Sequence, residues 1–134
     1  MSLTTQDYID IQMLYARYNH AIDSGKAAAW AATFTPDATF SATGQPASQG
    51  TAALAAFAQG FHANMPGKAR HWTNNLIIEP AAAAGATGTC YLLLYRLGGP
   101  GEAPAILVSG LYSDTLTKAA DGWKFASRSA ALGV

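Results

Sequence analysis

The chain has 134 residues, with eight Lys plus Arg against eight Asp plus Glu and charged side chains at 12% of the total. That length fits one domain with a single substantial core, and the balanced, sparse charge carries no basic footprint for nucleic acid or an anionic membrane surface. The single cysteine, Cys90, excludes an internal disulfide and offers no second thiol to a metal site; set in an apolar run, it is expected in the core.

In chain order, Met1-Ser2-Leu3-Thr4-Thr5 lacks a basic region followed by an apolar stretch, and no segment reaches the roughly 20 apolar residues that span a bilayer. A soluble, cytoplasmic protein with no membrane partner is expected. Between Thr5 and Ser24, Tyr8, Ile11, Tyr15, Tyr18 and Ile22 recur at three- and four-residue steps, the stripe of an amphipathic helix. Thr4 or Thr5 can cap its start and Gly25 can close its end. A short helical stretch from Lys26 to Thr33 carries Trp30 and runs into Phe34-Thr35-Pro36-Asp37, where Pro36 and Asp37 mark a turn before a short strand, Ala38 to Ser41. After a loop punctuated by Gly44, Pro46 and Gly50, Thr51 to Met65 reads as an Ala-rich helix holding Leu54, Phe57 and Phe61, stopped by Pro66-Gly67.

Everything afterwards reads as strand: Ala69 to Pro80, Thr87 to Leu97, Ala105 to Lys118 and Trp123 to Ser129. Helices first and strands later argue for an α+β fold, a strongly curved, mixed or antiparallel sheet wrapped around the N-terminal helices, over the whole of residues 1–134. Strand alternation puts His71, Thr73, Asn75 and Ile77 on one face and Trp72, Asn74, Leu76 and Ile78 on the other. The first face, with polar groups beside a histidine, suggests a lined pocket. By the same rule Lys124, Ala126 and Arg128 share a face of the last strand, where Arg128 is either a solvated edge charge or an anion clamp.

Two residues stand out as an acid/base pair. His71, in Arg70-His71-Trp72-Thr73-Asn74-Asn75, can exchange a proton near neutrality, and a carboxylate on its far nitrogen would fix its tautomer and favour the imidazolium. Asp23 can supply that carboxylate, since it falls about 80° round the first helix from Tyr15 at roughly 100° per residue, at the margin of the apolar stripe. An anion in the last helical turn opposes the macrodipole, a cost that a cationic partner offsets. The competing reading leaves Asp23 exposed in an Asp-Ser-Gly turn. His20 and His62 are expected to face solvent, and three scattered histidines do not make a metal site.

Leu14-Tyr15-Ala16-Arg17-Tyr18, Ala21-Ile22-Asp23, Trp30, Phe34-Thr35-Pro36-Asp37-Ala38, Arg70-His71, Asn75, Ser109-Gly110-Leu111-Tyr112 and Asp121-Gly122-Trp123-Lys124-Phe125 together resemble the SnoaL-like branch of the nuclear-transport-factor-2-like superfamily. The resemblance covers nearly the whole chain. It implies a cystatin-like α+β roll, a cone-shaped bent sheet around an apolar cavity, roofed by the helices and commonly dimeric through the sheet. The nearest likeness is to scytalone dehydratase, bile-acid dehydratase and hexachlorocyclohexane dehydrochlorinase, which use an Asp-His dyad inside the cone. Asp23 and His71 fall where that dyad is expected, Tyr18 matches a phenol of the bile-acid enzyme, and Arg128 aligns with a basic residue of the dehydrochlorinase. Tyr18 replaces the lysine of the dehydrochlorinase, and the second histidine of scytalone dehydratase has no counterpart.

These residues together lead to the expectation of a cofactor-free and metal-free enzyme, a lyase (dehydratase) or a cyclase or isomerase. Neutral His71 removes a proton beside a carbonyl, Asp23 holds it, and Tyr18 donates to an oxygen of the substrate. Arg128 and Asn75 orient polar substituents. Tyr15, Trp30 and Tyr112 are the aromatic candidates for contact with a small apolar, aromatic or polyketide-like substrate, with a packing role open for Tyr18, Trp30 and Tyr112. Half the residues are apolar, and Trp72, Leu76 and Ile78 on the outer sheet face predict a homodimer. The alternative is a non-catalytic domain of the same fold that binds a small ligand or a protein.

Overall fold

A computed structural model describes residues 2–134. Helix α1 (Thr5–Asp23) begins in a capping box: the Asp7 N–H donates to Thr4 Oγ1 at 3.0 Å while the Thr4 N–H donates to Asp7 Oδ2 at 2.9 Å. Lys118 Nζ and Trp123 Nε1 donate to the other Asp7 oxygen at 2.9 and 3.1 Å, tying this cap to the far end of the chain. The Thr4 backbone bond and those two donors hold the Asp7 carboxyl well below the usual carboxylate range. The buried stripe of α1 is Asp7, Ile11, Leu14, Tyr15, Tyr18, Asn19 and Ile22, and Tyr8, expected in it, is exposed.

Gly25 closes α1 at φ +72°. A side chain there would run into the imidazole of His62, since a Cβ would lie 2.7 Å from its ring. His62, expected in solvent, is thus half-buried against that turn. Helix α2 (Ala27–Ala31) carries Trp30 inward, where its ring packs on Phe34, Phe40 and Phe57. Strand β1 (Phe34–Ala42) starts earlier than its sequence suggests: Pro36 and Asp37 do not end an element but lie in the irregularity where its register shifts. A short β2 (Ser48–Gln49) and helix α3 (Thr51–Asn64) follow.

The remaining strands are β3 (Ala69–Ala81), β4 (Gly85–Arg96), β5 (Ala105–Ala119) and β6 (Gly122–Leu132). They form one curved, unclosed six-stranded sheet in the order β2-β1-β6-β5-β4-β3, antiparallel except for the parallel β1–β6 pair. The inner face buries Cys90, Leu92, Tyr112, Leu116 and Phe125 against α1, with the rings of Tyr15 and Phe125 in edge contact at 5.1 Å. No helix among the described residues is long and apolar enough to cross a membrane.

Irregular pairings change which residues face inward. The β3–β4 register slips between Asn74 and Ile77, and Asn75 there adopts φ +58°, a left-handed conformation that asparagine tolerates better than most residues. Beyond that bulge the alternation is inverted, so Leu76 and Ile78 pack against the core and Ile77 is exposed. The expected outer patch of Trp72, Leu76 and Ile78 is therefore corrected to Trp72, Ile77 and Tyr91, with Ile106 also exposed on β5. A second slip, between Thr115 and Leu116 opposite Phe125 and Ser127, separates Lys124 from Arg128: Lys124 Nζ reaches the Ala32 carbonyl at 2.6 Å, while Arg128 turns into the core.

Candidate active site

The last residue of α1 and the third residue of β3 meet. His71 Nδ1 lies 2.6 Å from Asp23 Oδ1, and the His71 backbone N–H also donates to the two carboxylate oxygens, at 3.1 and 3.0 Å. An ionised carboxylate only accepts, so the proton of a neutral His71 sits on Nδ1 and the lone pair on Nε2. No group among the described residues bonds Nε2. The ring of Phe61, from α3, lies 5.3 Å from the imidazole and limits its rotation. Because Asp23 stands at the negative end of the helix dipole, these donors also offset the local repulsion. The side chains are mostly buried, at 8% exposure for His71 and 15% for Asp23.

Both residues line a half-open cleft of about 1270 Å³ between α1 and the inner side of β3, β4 and β5. Tyr15 and Asn75, expected at the substrate, line it as well. One turn before Asp23, Asn19 donates from Nδ2 to Thr73 Oγ1 at 3.0 Å, so Asn19–Thr73 and Asp23–His71 form two parallel rungs from helix to strand. Asn19 is absent from the residues singled out in the sequence; its spacing of four from Asp23 is the signal that could have found it.

Tyr18, Trp30, Tyr112 and Arg128 do not line this cleft. They lie behind its wall, in a sealed cluster. Arg128 is 1% exposed and binds Asp114 through Nε at 2.8 Å and Nη2 at 3.1 Å, with its guanidinium 3.5 Å above the centre of the Tyr112 ring and 4.4 Å from that of Tyr18. It is neither the solvated edge charge nor an open clamp. Tyr15 connects the two regions, for its ring lines the cleft while its hydroxyl donates to Asp114 Oδ2. Gly88 makes that reach possible, because a Cβ there would sit 2.0 Å from the Tyr15 hydroxyl oxygen.

Burial pushes the Tyr18 phenol up and the Tyr112 phenol well above its ordinary range, against the pull of Arg128. It also pushes the Cys90 thiol up to about 11. For Arg128, burial opposes the charge but Asp114 outweighs it, so the guanidinium stays protonated. Tyr18 thus has the position of a packing tyrosine within a ring cluster that includes Trp30, Phe34 and Phe125, which corrects the expectation of a donor facing the substrate.

The SnoaL-like domain family matches residues 4–129. The chain belongs to that family. Its structure is similar to ActVI-ORFA from Streptomyces coelicolor, at 28% identity over 96% of each chain with a TM-score of 0.87. It is also similar to an NTF2-like protein with a cystatin-like fold from Novosphingobium aromaticivorans, at 25% identity over 95% of this chain and 82% of that one, TM-score 0.85. A protein from Catenulispora acidiphila, solved in complex with S-DNPA, is 28% identical over 96% of this chain and 95% of its own, TM-score 0.83. No curated protein matches the chain. The fold is that of the NTF2-like, cystatin-like superfamily, as the sequence resemblance implies.

Proposed function

We propose that this SnoaL-like domain is a small-molecule enzyme in which His71, held by Asp23, removes a proton from carbon beside a carbonyl. The observation that carries this reading is the 2.6 Å contact from Nδ1 to Asp23 on the wall of a large cleft, with Nε2 left unpartnered. Nε2 takes the proton and the C–H electron pair becomes an enolate, while Asp23 stabilises the imidazolium that forms. If the neighbouring carbon bears a hydroxyl, the enolate expels it as hydroxide. That hydroxide takes the proton from His71 and leaves as water, which gives an α,β-unsaturated carbonyl and restores neutral His71. If the substrate carries a second carbonyl, the enolate carbon bonds to it instead and His71 protonates the new alkoxide. Dehydration and cyclisation thus share their first step. A cleft with Tyr15, Leu76 and Leu92 among its lining suits an aromatic or polyketide-like substrate.

The test follows the first step alone. In D₂O, the wild-type protein is expected to accelerate hydrogen–deuterium exchange at the α-carbon of an enolisable aromatic ketone such as 2-tetralone, read by proton NMR. His71→Ala removes that acceleration. Binding of the ketone without exchange would sink the enzyme reading and favour a non-catalytic ligand carrier of the same fold.

The outer sheet face supports a second copy as partner. Trp72, Ile77, Tyr91 and Ile106 are each more than half exposed, and the Trp72 and Tyr95 rings pack at 5.0 Å. The expected homodimer buries that face, and Trp72→Glu would yield a monomer by light scattering. A wild-type monomer at micromolar concentration would refute it.

A further inference from the structure

Removing a proton beside a carbonyl leaves charge on the carbonyl oxygen, and a site that lowers this barrier places a donor there. Tyr18 and Arg128 are sealed behind the cleft wall and cannot supply it. Most hydroxyl and amide donors of the cleft are already spent or too wet. Tyr15, Ser24 and Ser109 give theirs to Asp114 and to the His20 and Val134 carbonyls. Gln12, Asn74, Asn75 and Tyr91 are exposed, where water competes for the same oxygen.

Thr73 differs. It is half-buried in the cleft wall, two residues along β3 from His71 and so on the same face, and its Oγ1 accepts from Asn19 Nδ2 at 3.0 Å. A hydroxyl carries one hydrogen besides its lone pairs. The bond from Asn19 fills an acceptor site of Oγ1 and leaves that hydrogen unspent, for no group among the described residues accepts it. Asn19 is itself buried, with its Oδ1 sealed and unpartnered, so its amide offers Thr73 a donor rather than an acceptor.

We infer that Thr73 is a catalytic residue whose hydroxyl donates to the substrate carbonyl oxygen as it becomes an enolate oxygen, with Asn19 as the positioning residue that aims it. This rests on the proton abstraction proposed above. Two residues of strand span roughly 6.6 Å. A base stands about 3 Å from the acidic carbon, the carbonyl oxygen lies about 2.4 Å from that carbon by ordinary bond lengths, and its donor stands about 3 Å beyond. Bent at the carbon and at the oxygen, that path matches the spacing of the two side chains. As the C–H bond breaks, its proton passes to His71 Nε2 and its electron pair forms the C=C bond. The carbonyl π pair moves onto the oxygen, and Thr73 holds that oxygen while keeping its own hydrogen.

The experiment has two arms. In D₂O, exchange at the α-carbon of 2-tetralone is expected to fall about 10²-fold in kcat for Thr73→Val with KM within about threefold, because the donor acts as charge develops. Thr73→Ser keeps a hydroxyl and should restore most of the rate, and Asn19→Ala, which frees the hydroxyl to rotate, should lie between them. The second arm needs no catalysis: 2-naphthol, a planar enol, is bound to the His71→Ala protein and its ionisation is followed by absorbance. Adding Thr73→Val should raise the ionisation midpoint by about one pH unit, since the hydroxyl stabilises naphtholate. Thr73→Ala replaces the valine variant in both arms if that one does not fold. A wild type that exchanges nothing, with a naphthol midpoint that follows the hydroxyl, refutes the base and retains the donor. A Thr73→Val rate within about threefold of an active wild type, a serine variant no faster than the valine one, or a midpoint indifferent to the hydroxyl overturns the proposal. So does a protein that neither exchanges the ketone nor binds the naphthol.

Discussion

Two carboxylates in this protein each meet a nitrogen base, and they do opposite things because of where the chain puts them. Asp114 and Arg128 have side chains with no exposure at all, and they hold each other through two hydrogen bonds beneath three tyrosines. Asp23 and His71 make a comparable short contact at the rim of the core, where a cleft reaches the imidazole. Burial of the first pair leaves no path for a substrate, so its charges are structural. The second pair keeps one nitrogen for external chemistry. Charge pairing alone therefore says little about function; access to the unbonded atom decides it.

The sharpest way to break this comparison is to remove one member of the sealed pair. Arg128→Leu would leave Asp114 unpaired in the core, and a loss of roughly 3–5 kcal/mol is expected, read as a shift in urea midpoint or as failure to fold. Arg128→Met combined with Asp114→Leu should recover part of that loss, since a buried ion pair is often replaceable by apolar groups. A loss of activity without a loss of stability in Arg128→Leu would move that arginine into the site.

The rim pair should behave in the opposite way. His71→Ala is expected to slow proton abstraction by about 10²- to 10⁴-fold with a thermal midpoint near that of wild type. Asp23→Asn should cost less, since it keeps the base and loses its charge support. Tyr18→Phe, behind the cleft wall, is expected to leave turnover within about threefold, because no reacting atom lies beside its hydroxyl. A larger effect would show that the cluster behind the wall communicates with the cleft.

Smaller effects sharpen the view of the scaffold that presents both pairs. At the tip of the β3–β4 hairpin Ala83 and Ala84 both have φ +57°, which costs an alanine roughly 1–2 kcal/mol. Ala84→Gly should therefore raise stability by about 1 kcal/mol, measured by urea unfolding, and a destabilised variant would contradict the turn geometry. Asp7, with its depressed pKa, is charged in the fold where the unfolded chain would protonate it. The stability it contributes is present above about pH 4 and is lost as pH falls through the folded value. The gap between wild type and Asp7→Asn should accordingly be widest at pH 7, begin to shrink below about pH 4, and close only as the pH passes the folded value.

Much of this architecture is legible in the amino-acid sequence. The stripe through Ile11, Tyr15, Tyr18 and Ile22, the glycine at 25, and the helices-then-strands order each follow from local periodicity and turn chemistry, and α1, α3 and β3–β6 lie within a few residues of where those signals place them. The meeting of Asp23 with His71 was open to the residue pattern by itself. It became an expectation only through the resemblance, because residues forty-eight apart are joined by how a helix docks on a sheet. What the tertiary structure alone decided is which way side chains face. Period-two alternation assumes an unbroken ladder, and the slips at Asn75 and beside Phe125 exchange the faces of Leu76, Ile77 and Ile78 and part Arg128 from Lys124. A bulge is set by pairing with another strand, so no local signal in β6 could tell a surface arginine from one sealed under Tyr112, and nothing in α1 could show that Asn19 would be left with an unbonded oxygen beside the dyad.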